Sequence, residues 1–365
     1  MQPDASSKPS RFERLKAWIH KHPARTYALI AIGLVLAGSL TTAAVLWQQP
    51  QKKPPVEPKK IVQADKPKPI YHAPLTGEVI PDKSAISKAV TAIMIENSPS
   101  ARPQSGLKEA EIVYEAVAEG GITRFLALYQ QHQPELIGPV RSLRLYYVDW
   151  LTPYDASVAH VGGSKAALQL VRAGNYRDID QFFNAGSYWR ATDRAAPHNV
   201  YTSFSRLNQL NAAKGYTQSS PKVFERADDQ ADLAQDATTV HLKISGVLYN
   251  SSYAYDSTTK LYARSQGGAP HLDREAGQIQ AKVVIALRVD MHRVMEDGYR
   301  ESIATTGNGE AMIFQNGHAI KATWYKDDRA GQIRFNDSTG QPVKLARGTT
   351  WISAVPVSGG DVSWQ

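Results

Sequence analysis

The chain has 365 residues, with 42 Lys+Arg, 34 Asp+Glu and no cysteine. That length suggests about two globular domains, and 42% hydrophobic with 21% charged residues excludes global disorder. The lack of cysteine excludes disulfides, thiolate zinc sites, iron–sulfur clusters, a catalytic thiol and a lipidated cysteine among these residues.

A formal charge of +8 invites a nucleic-acid reading, but its distribution removes it. Residues 1–69 hold twelve Lys+Arg against four Asp+Glu, and residues 70–365 hold thirty of each. A nucleic-acid domain carries its positive charge on the fold itself, so no nucleic-acid partner is expected.

Residues 1–26 read as a short basic cytoplasmic head. From Tyr27 to Trp47 run 21 uncharged residues, YALIAIGLVLAGSLTTAAVLW. As a helix they would span about 31 Å, the hydrocarbon thickness of a bilayer. Tyr27 and Trp47 stand at the two ends, where amphipathic rings favour the headgroup region. A transmembrane signal anchor is expected at 27–47, with the lipid bilayer as its partner. The apolar run exceeds a usual signal-peptide core, so retention is favoured over cleavage at Thr42-Ala43-Ala44. Long domains translocate largely regardless of flanking charge. The expectation is therefore a single-pass protein of the cell membrane, N-terminus cytoplasmic and body extracytoplasmic. Residues 48–70 follow as a Pro/Lys-rich linker, with six prolines and six lysines in 48–69. Such composition favours extended polyproline II, reaching up to about 70 Å, and its lysines suit anionic lipid or an anionic wall polymer.

The body is read as an α/β N-terminal domain at 71–225 followed by a β-rich C-terminal domain at 240–358, behind that one N-terminal transmembrane helix. Strands are expected at Val90–Glu96, Glu111–Ala118, Ile122–Gln130, Leu136–Ser142 and Ala156–Val161. Helices are expected at Ser164–Ala173, capped by Ser164, and at Ser203–Lys214, capped by Thr202 or Ser203, each with a glycine just beyond its end. The acidic, Ala/Gln-rich stretch 227–237 reads as a surface helix or linker. From Val240 onward alternation predicts strands almost throughout, with turns at Asn316-Gly317 and Ser338-Thr339-Gly340.

Polar motifs punctuate these strands: APLTGE at 73–78, RPQSGL at 102–107, EGGITRFLALY at 119–129, GPVRSLR at 138–144, HVGGS at 160–164 and DRAAPHNVYT at 193–202. The second half ends GNGEAMIFQNGHAIKATWYK and then RFNDSTGQPVKLARGTTWISAVP. Together they resemble the YerB-like family, an exported bacterial family of two linked domains of unknown function. The resemblance covers roughly 73–356. It implies the fold and an envelope location, and no reaction. Members described as lipoproteins need a cysteine after the signal; this sequence has none.

Arg102, Arg124, Arg141, Arg144, Arg190 and Arg194, with His160, His198 and Asn199, make one half of the first domain rich in groups that grip anions. Gly162-Gly163-Ser164 opens a helix whose free N–H groups could add to them. One reading is a pocket for a phosphate- or carboxylate-bearing ligand such as an envelope glycan. The alternative pairs the arginines with Glu96, Glu115, Glu119, Asp149, Asp155 and Asp193 in structural networks. The layout also resembles that of the LytR-CpsA-Psr phosphotransferases, in which Arg141 and Arg144 would hold a pyrophosphate, but Thr123-Arg124 stands where a metal-binding aspartate is expected.

His160 and His198 are the candidate catalytic acid and base. Ser105-Gly106-Leu107-Lys108 fits Ser-x-x-Lys but lacks its partner motifs. No metal site and no cofactor are expected. Trp324 and Trp351 read as core rather than as sugar-stacking surface. Two functions follow: a non-enzymatic envelope protein that binds an anionic ligand or wall component, or an envelope phosphotransferase or hydrolase working through Arg141, Arg144, His160 and His198.

Overall fold

The computed structural model describes residues 10–47, 69–229, 234–293 and 300–365. The chain divides into two compact units, Met1–Pro67 and Lys68–Gln365. The first contains α1 (Arg11–Lys21) and α2 (Pro23–Trp47). Ser10 caps α1 by accepting from the Glu13 N–H at 3.4 Å. Pro23 opens α2, where its fixed φ and missing N–H carry no penalty. Tyr27, Leu29, Ile30, Ile32, Leu34, Val35 and Leu36 are each more than half exposed. Among the described residues no helix is both long and apolar enough to cross a membrane. The expected span at 27–47 falls within α2, most of whose side chains beyond Ser39 lie outside the described set. The expected linker at 48–70 lies outside it apart from its last two residues.

The second unit is built on a ten-stranded mixed sheet. Its strands are β1 (Thr91–Glu96), β2 (Ile112–Glu119), β3 (Ile122–Tyr129), β4 (Ser157–Ala159) and β5 (Arg177–Asp178). Helices α3 (Leu145–Leu151), α4 (Lys165–Val171) and α5 (Phe204–Ala213) interleave with them or follow. The second half of the chain begins with β6 (Thr239–Lys243), β7 (Ser251–Asp256) and β8 (Leu261–Gln266). It continues with β9 (Val283–Val289), β10 (Gly307–Gln315), β11 (His318–Lys326), β12 (Arg334–Asp337), β13 (Thr350–Pro356) and β14 (Asp361–Trp364). The large sheet runs β12-β11-β10-β9-β13-β2-β3-β1-β4-β5, and a smaller antiparallel sheet carries β8-β7-β6-β14.

The segments read as two domains thus meet inside one sheet. β13 lies parallel to both β9 and β2, with Thr350 opposite Ile112. Side chains alternate across the sheet, and both faces are covered. Ala92, Met94, Tyr114 and Leu126 pack on Tyr147, Trp150 and Leu151 of α3 and on Val171 of α4. Ile93, Ile95, Val113 and Phe125 pack on Phe204 and Leu207 of α5 and on Val240 and Tyr253 of the smaller sheet. That is why β1 is buried along its whole length and reads as a continuous apolar run. Trp324 and Trp351 are buried.

Two segments differ from expectation. Leu136–Ser142 is not a strand but makes isolated bridges, Ile95 with Val140, Ser105 with Gly138 and Ile137 with Thr202. α3 appears where no helix was expected, because six consecutive residues, Tyr146 to Leu151, are buried and leave no polar face to give it a helical period. Of the two readings of 227–237, its described residues form no helix, which leaves the linker.

Candidate anion-binding site

Glu96 ends β1, and several of the expected residues meet there. The Arg141 N–H donates to the Met94 carbonyl at 2.8 Å and the Arg141 carbonyl accepts from Val161 at 3.0 Å. The 140–143 backbone is thereby wedged between β1 and the residues after β4. The Arg141 side chain brings Nε to 3.3 Å from Glu96 Oε1. The same oxygen faces His198 Nδ1 at 2.8 Å and accepts from the Ser98 hydroxyl at 2.9 Å. Glu96 is buried, while Arg141 and His198 are each about a quarter exposed. The arrangement orients His198 through Nδ1 and leaves Nε2 as the nitrogen that could exchange a proton.

Glu119 ends β2 and accepts from Arg124 Nη2 at 2.7 Å and from Arg144 Nη2. Arg124 also donates to the Ser142 carbonyl, and Arg144 to the Leu143 carbonyl at 2.7 Å. Burial pulls the Arg124 guanidinium below its ordinary value, and the Arg141 charge acts in the same direction.

Other expected site residues serve the scaffold. His160 is fully buried, with Nδ1 donating to the Gly162 carbonyl at 2.7 Å and Nε2 facing Asp178 Oδ1 at 3.0 Å. With both nitrogens engaged it has none for catalysis. Burial pushes the Asp178 carboxyl up, but the bond and charge of His160, with the Asp180 N–H and the Arg172 charge, together outweigh it and the carboxyl lies below its usual range. The Gly162 N–H is donated to Asp180 Oδ1 at 3.0 Å and the Ser164 N–H to the Leu143 carbonyl at 3.1 Å. A Cβ on Gly163 would lie 2.9 Å from the Leu143 carbonyl. Gly163 therefore permits close backbone packing, and the expected cradle of free N–H groups is already spent at Gly162 and Ser164. Arg102 donates to Asn97 Oδ1 and to the Asn97 and Leu248 carbonyls, all at 3.0 Å. Arg194 donates to the Ser100 and Pro103 carbonyls. Asn199 accepts from Arg190 and donates to the Ala191 and Arg194 carbonyls.

All six acids named as alternative partners are paired, four of them with other arginines: Glu115 with Arg264, Asp149 with Arg329, Asp155 with Arg177 and Asp193 with Arg274. Glu115 belongs to a closed buried ring that sequence reasoning missed. Asn97 donates to Thr123 and Thr123 to Glu115. Arg264 donates to Glu115 at 2.7 Å and to His271 Nδ1. His271 Nε2 then faces Gln104 Oε1, and Gln104 returns to Asn97 Oδ1. The one available signal was a charge inside an apolar strand, Glu115 in IVYEAVA.

Arg144 and Ser164 do share an open feature. With Lys165 and Arg300 they line a groove of about 460 Å3, which Asp149 and Glu301 also border. Asp149 is occupied by Arg329 and by the Thr305 hydroxyl at 2.7 Å. Arg144 is already held by Glu119 and the Leu143 carbonyl, so exposed Lys165 is the cation placed to take a phosphate or carboxylate through a charge-assisted hydrogen bond beside the Ser164 hydroxyl. Among the described residues no group of three His, Asp or Glu is placed to hold a metal ion.

The family described as "Protein of unknown function (DUF3048)" matches residues 75–217 with its N-terminal domain and 240–352 with its C-terminal domain. The chain belongs to this family. Within DUF3048 it is 33% identical over 290 residues to "Putative lipoprotein YerB" of Bacillus subtilis (strain 168), covering 78% of this chain and 86% of that protein. The crystal structure of YerB from Bacillus subtilis superposes with a TM-score of 0.72 at 30% identity, covering 80% of this chain and 99% of that one. The YerB-like resemblance read from the polar motifs is thereby borne out.

Proposed function

We propose that this DUF3048 member is a membrane-anchored protein of the cell envelope whose body binds an anionic, phosphate- or carboxylate-bearing ligand. The observation that carries the binding reading is the groove where Arg144, Lys165 and Arg300 stand beside Ser164. Anchoring is supported by α2, whose apolar side chains Tyr27, Leu29, Ile30, Ile32, Leu34, Val35 and Leu36 are each more than half exposed. The similar protein is named a lipoprotein. With no cysteine to acylate here, α2 takes that role, crossing once with the body outside.

Titration calorimetry with inorganic pyrophosphate, and with citrate for the carboxylate class, tests the groove. Lys165 is exposed, so Lys165→Glu should leave the fold intact. It should weaken pyrophosphate at least about tenfold, the scale of one charge-assisted hydrogen bond, while Lys243→Glu on β6 should not. Binding that ignores Lys165→Glu would remove the groove from consideration.

A second reading, an envelope phosphohydrolase or phosphotransferase, is favoured by the Glu96–His198 pair beside Arg141. The same pyrophosphate incubation decides it: phosphate release should occur and vanish in His198→Ala. No release, or release that survives the substitution, sinks that reading.

A further inference from the structure

Phe182 and Phe183 are adjacent in sequence and 67% and 71% exposed. Single exposed apolar residues are ordinary; this pair sits on a loop with unusually little freedom to hide them. Asp180, itself buried, accepts from the Gly162 and Phe182 N–H groups through Oδ1 and from Arg172 through Oδ2 at 2.8 Å. The Asp180 carbonyl takes the Phe183 N–H and the Asn184 amide. Gln181 donates to the His160 carbonyl at 2.9 Å, and the Tyr188 hydroxyl donates to the Ile179 carbonyl. The Phe182 ring lies over Gly162, where a Cβ would meet its Cε2 at 3.1 Å. The Arg172 guanidinium lies 4.9 Å from the centre of the Phe183 ring.

From this geometry we infer that the 181–184 loop inserts its two phenylalanines into the interfacial region of a lipid bilayer, giving the body a second contact with the membrane. Rigidity favours insertion because the loop loses little freedom on binding. The patch is small: two phenylalanine side chains offer roughly 200–350 Å2, well short of the roughly 800 Å2 per partner in a stable protein interface. A weak insertion suffices when the body is already tethered, since the tether sets a high effective concentration of bilayer. The inference rests on the proposed anchoring by α2, and the test separates the two.

The absence of cysteine allows single cysteines to be introduced and spin-labelled. Full-length protein carrying Phe182→Cys, Phe183→Cys or Val247→Cys is reconstituted into liposomes of phosphatidylglycerol and phosphatidylethanolamine. Val247, 79% exposed, serves as the comparison. The ratio of oxygen to nickel-chelate accessibility should be several-fold higher at 182 and 183 than at 247. Equal ratios overturn the inference, and so does shielding of 182 and 183 from both reagents, which would mean a protein covers them. Resistance of the same liposomes to alkaline carbonate extraction reports α2 independently of the loop.

Discussion

Arg264 has none of its side chain exposed and meets the equally buried Glu115 at 2.7 Å. Removing one partner of such a pair leaves the other charged and unsolvated, so Glu115→Ala should cost about 3–5 kcal/mol in denaturant unfolding. The neighbouring His271 accepts from Arg264 at Nδ1, which leaves Nε2 to donate to Gln104, so the ring requires it neutral. Burial, and then the Arg264 charge, hold its pKa well below the ordinary value. The unfolded histidine takes a proton near pH 6.5 and the folded one does not. The ring's contribution is therefore complete above about pH 6.5 and is lost as pH falls below it, by at most about 1.4 kcal/mol per pH unit. Between pH 7.5 and 5.5 the native protein should lose roughly 1 kcal/mol more than His271→Gln does; equal losses would show that His271 protonates freely in the fold. The arginines and histidines of the site were readable as an inventory, but their partners were not. Glu115 and Arg264 lie 149 positions apart, and only the sheet brings them together.

Among the elements, those with a clean period or turn signal were legible. The hairpin β10–β11 closes with Gln315 opposite His318, and Asn316 and Gly317 adopt φ of 54° and 76°, the mirror-image turn that Asn-Gly predicts. A Cβ on Gly317 would come within 2.8 Å of the Tyr255 ring. Gly317→Ala should therefore destabilise by about 1–2 kcal/mol, the cost of a left-handed non-glycine residue, measured as a lowered denaturation midpoint at unchanged slope. A neutral result would mean that Tyr255 moves aside and the turn relaxes. α3 was illegible for the opposite reason: LYYVDWL is buried on nearly every side, and only tertiary packing distinguishes such a run from a strand.

At the scale of the molecule, composition separated the basic N-terminal segment from the neutral body, and alternation found nearly every long strand. It could not say that strands from both halves interleave, since a strand's sequence does not name its neighbour. β13 fills the gap between β2 and β9, and Arg264 from the second half neutralises Glu115 from the first. Residues 70–225 made alone should thus lack a cooperative melt, while the full chain should unfold in one calorimetric transition. Two resolved transitions in the full chain would contradict this.

The position of β13 also sets a timetable. Thr350 pairs beside Ile112, so the strand that completes the middle of the sheet emerges from the ribosome after more than two hundred further residues. At about 5–20 residues per second, β2 waits on the order of tens of seconds with one edge of unpaired backbone groups open to any passing strand. That interval is when the chain is most exposed to wrong pairing, and shielding of the β2 edge would matter most then.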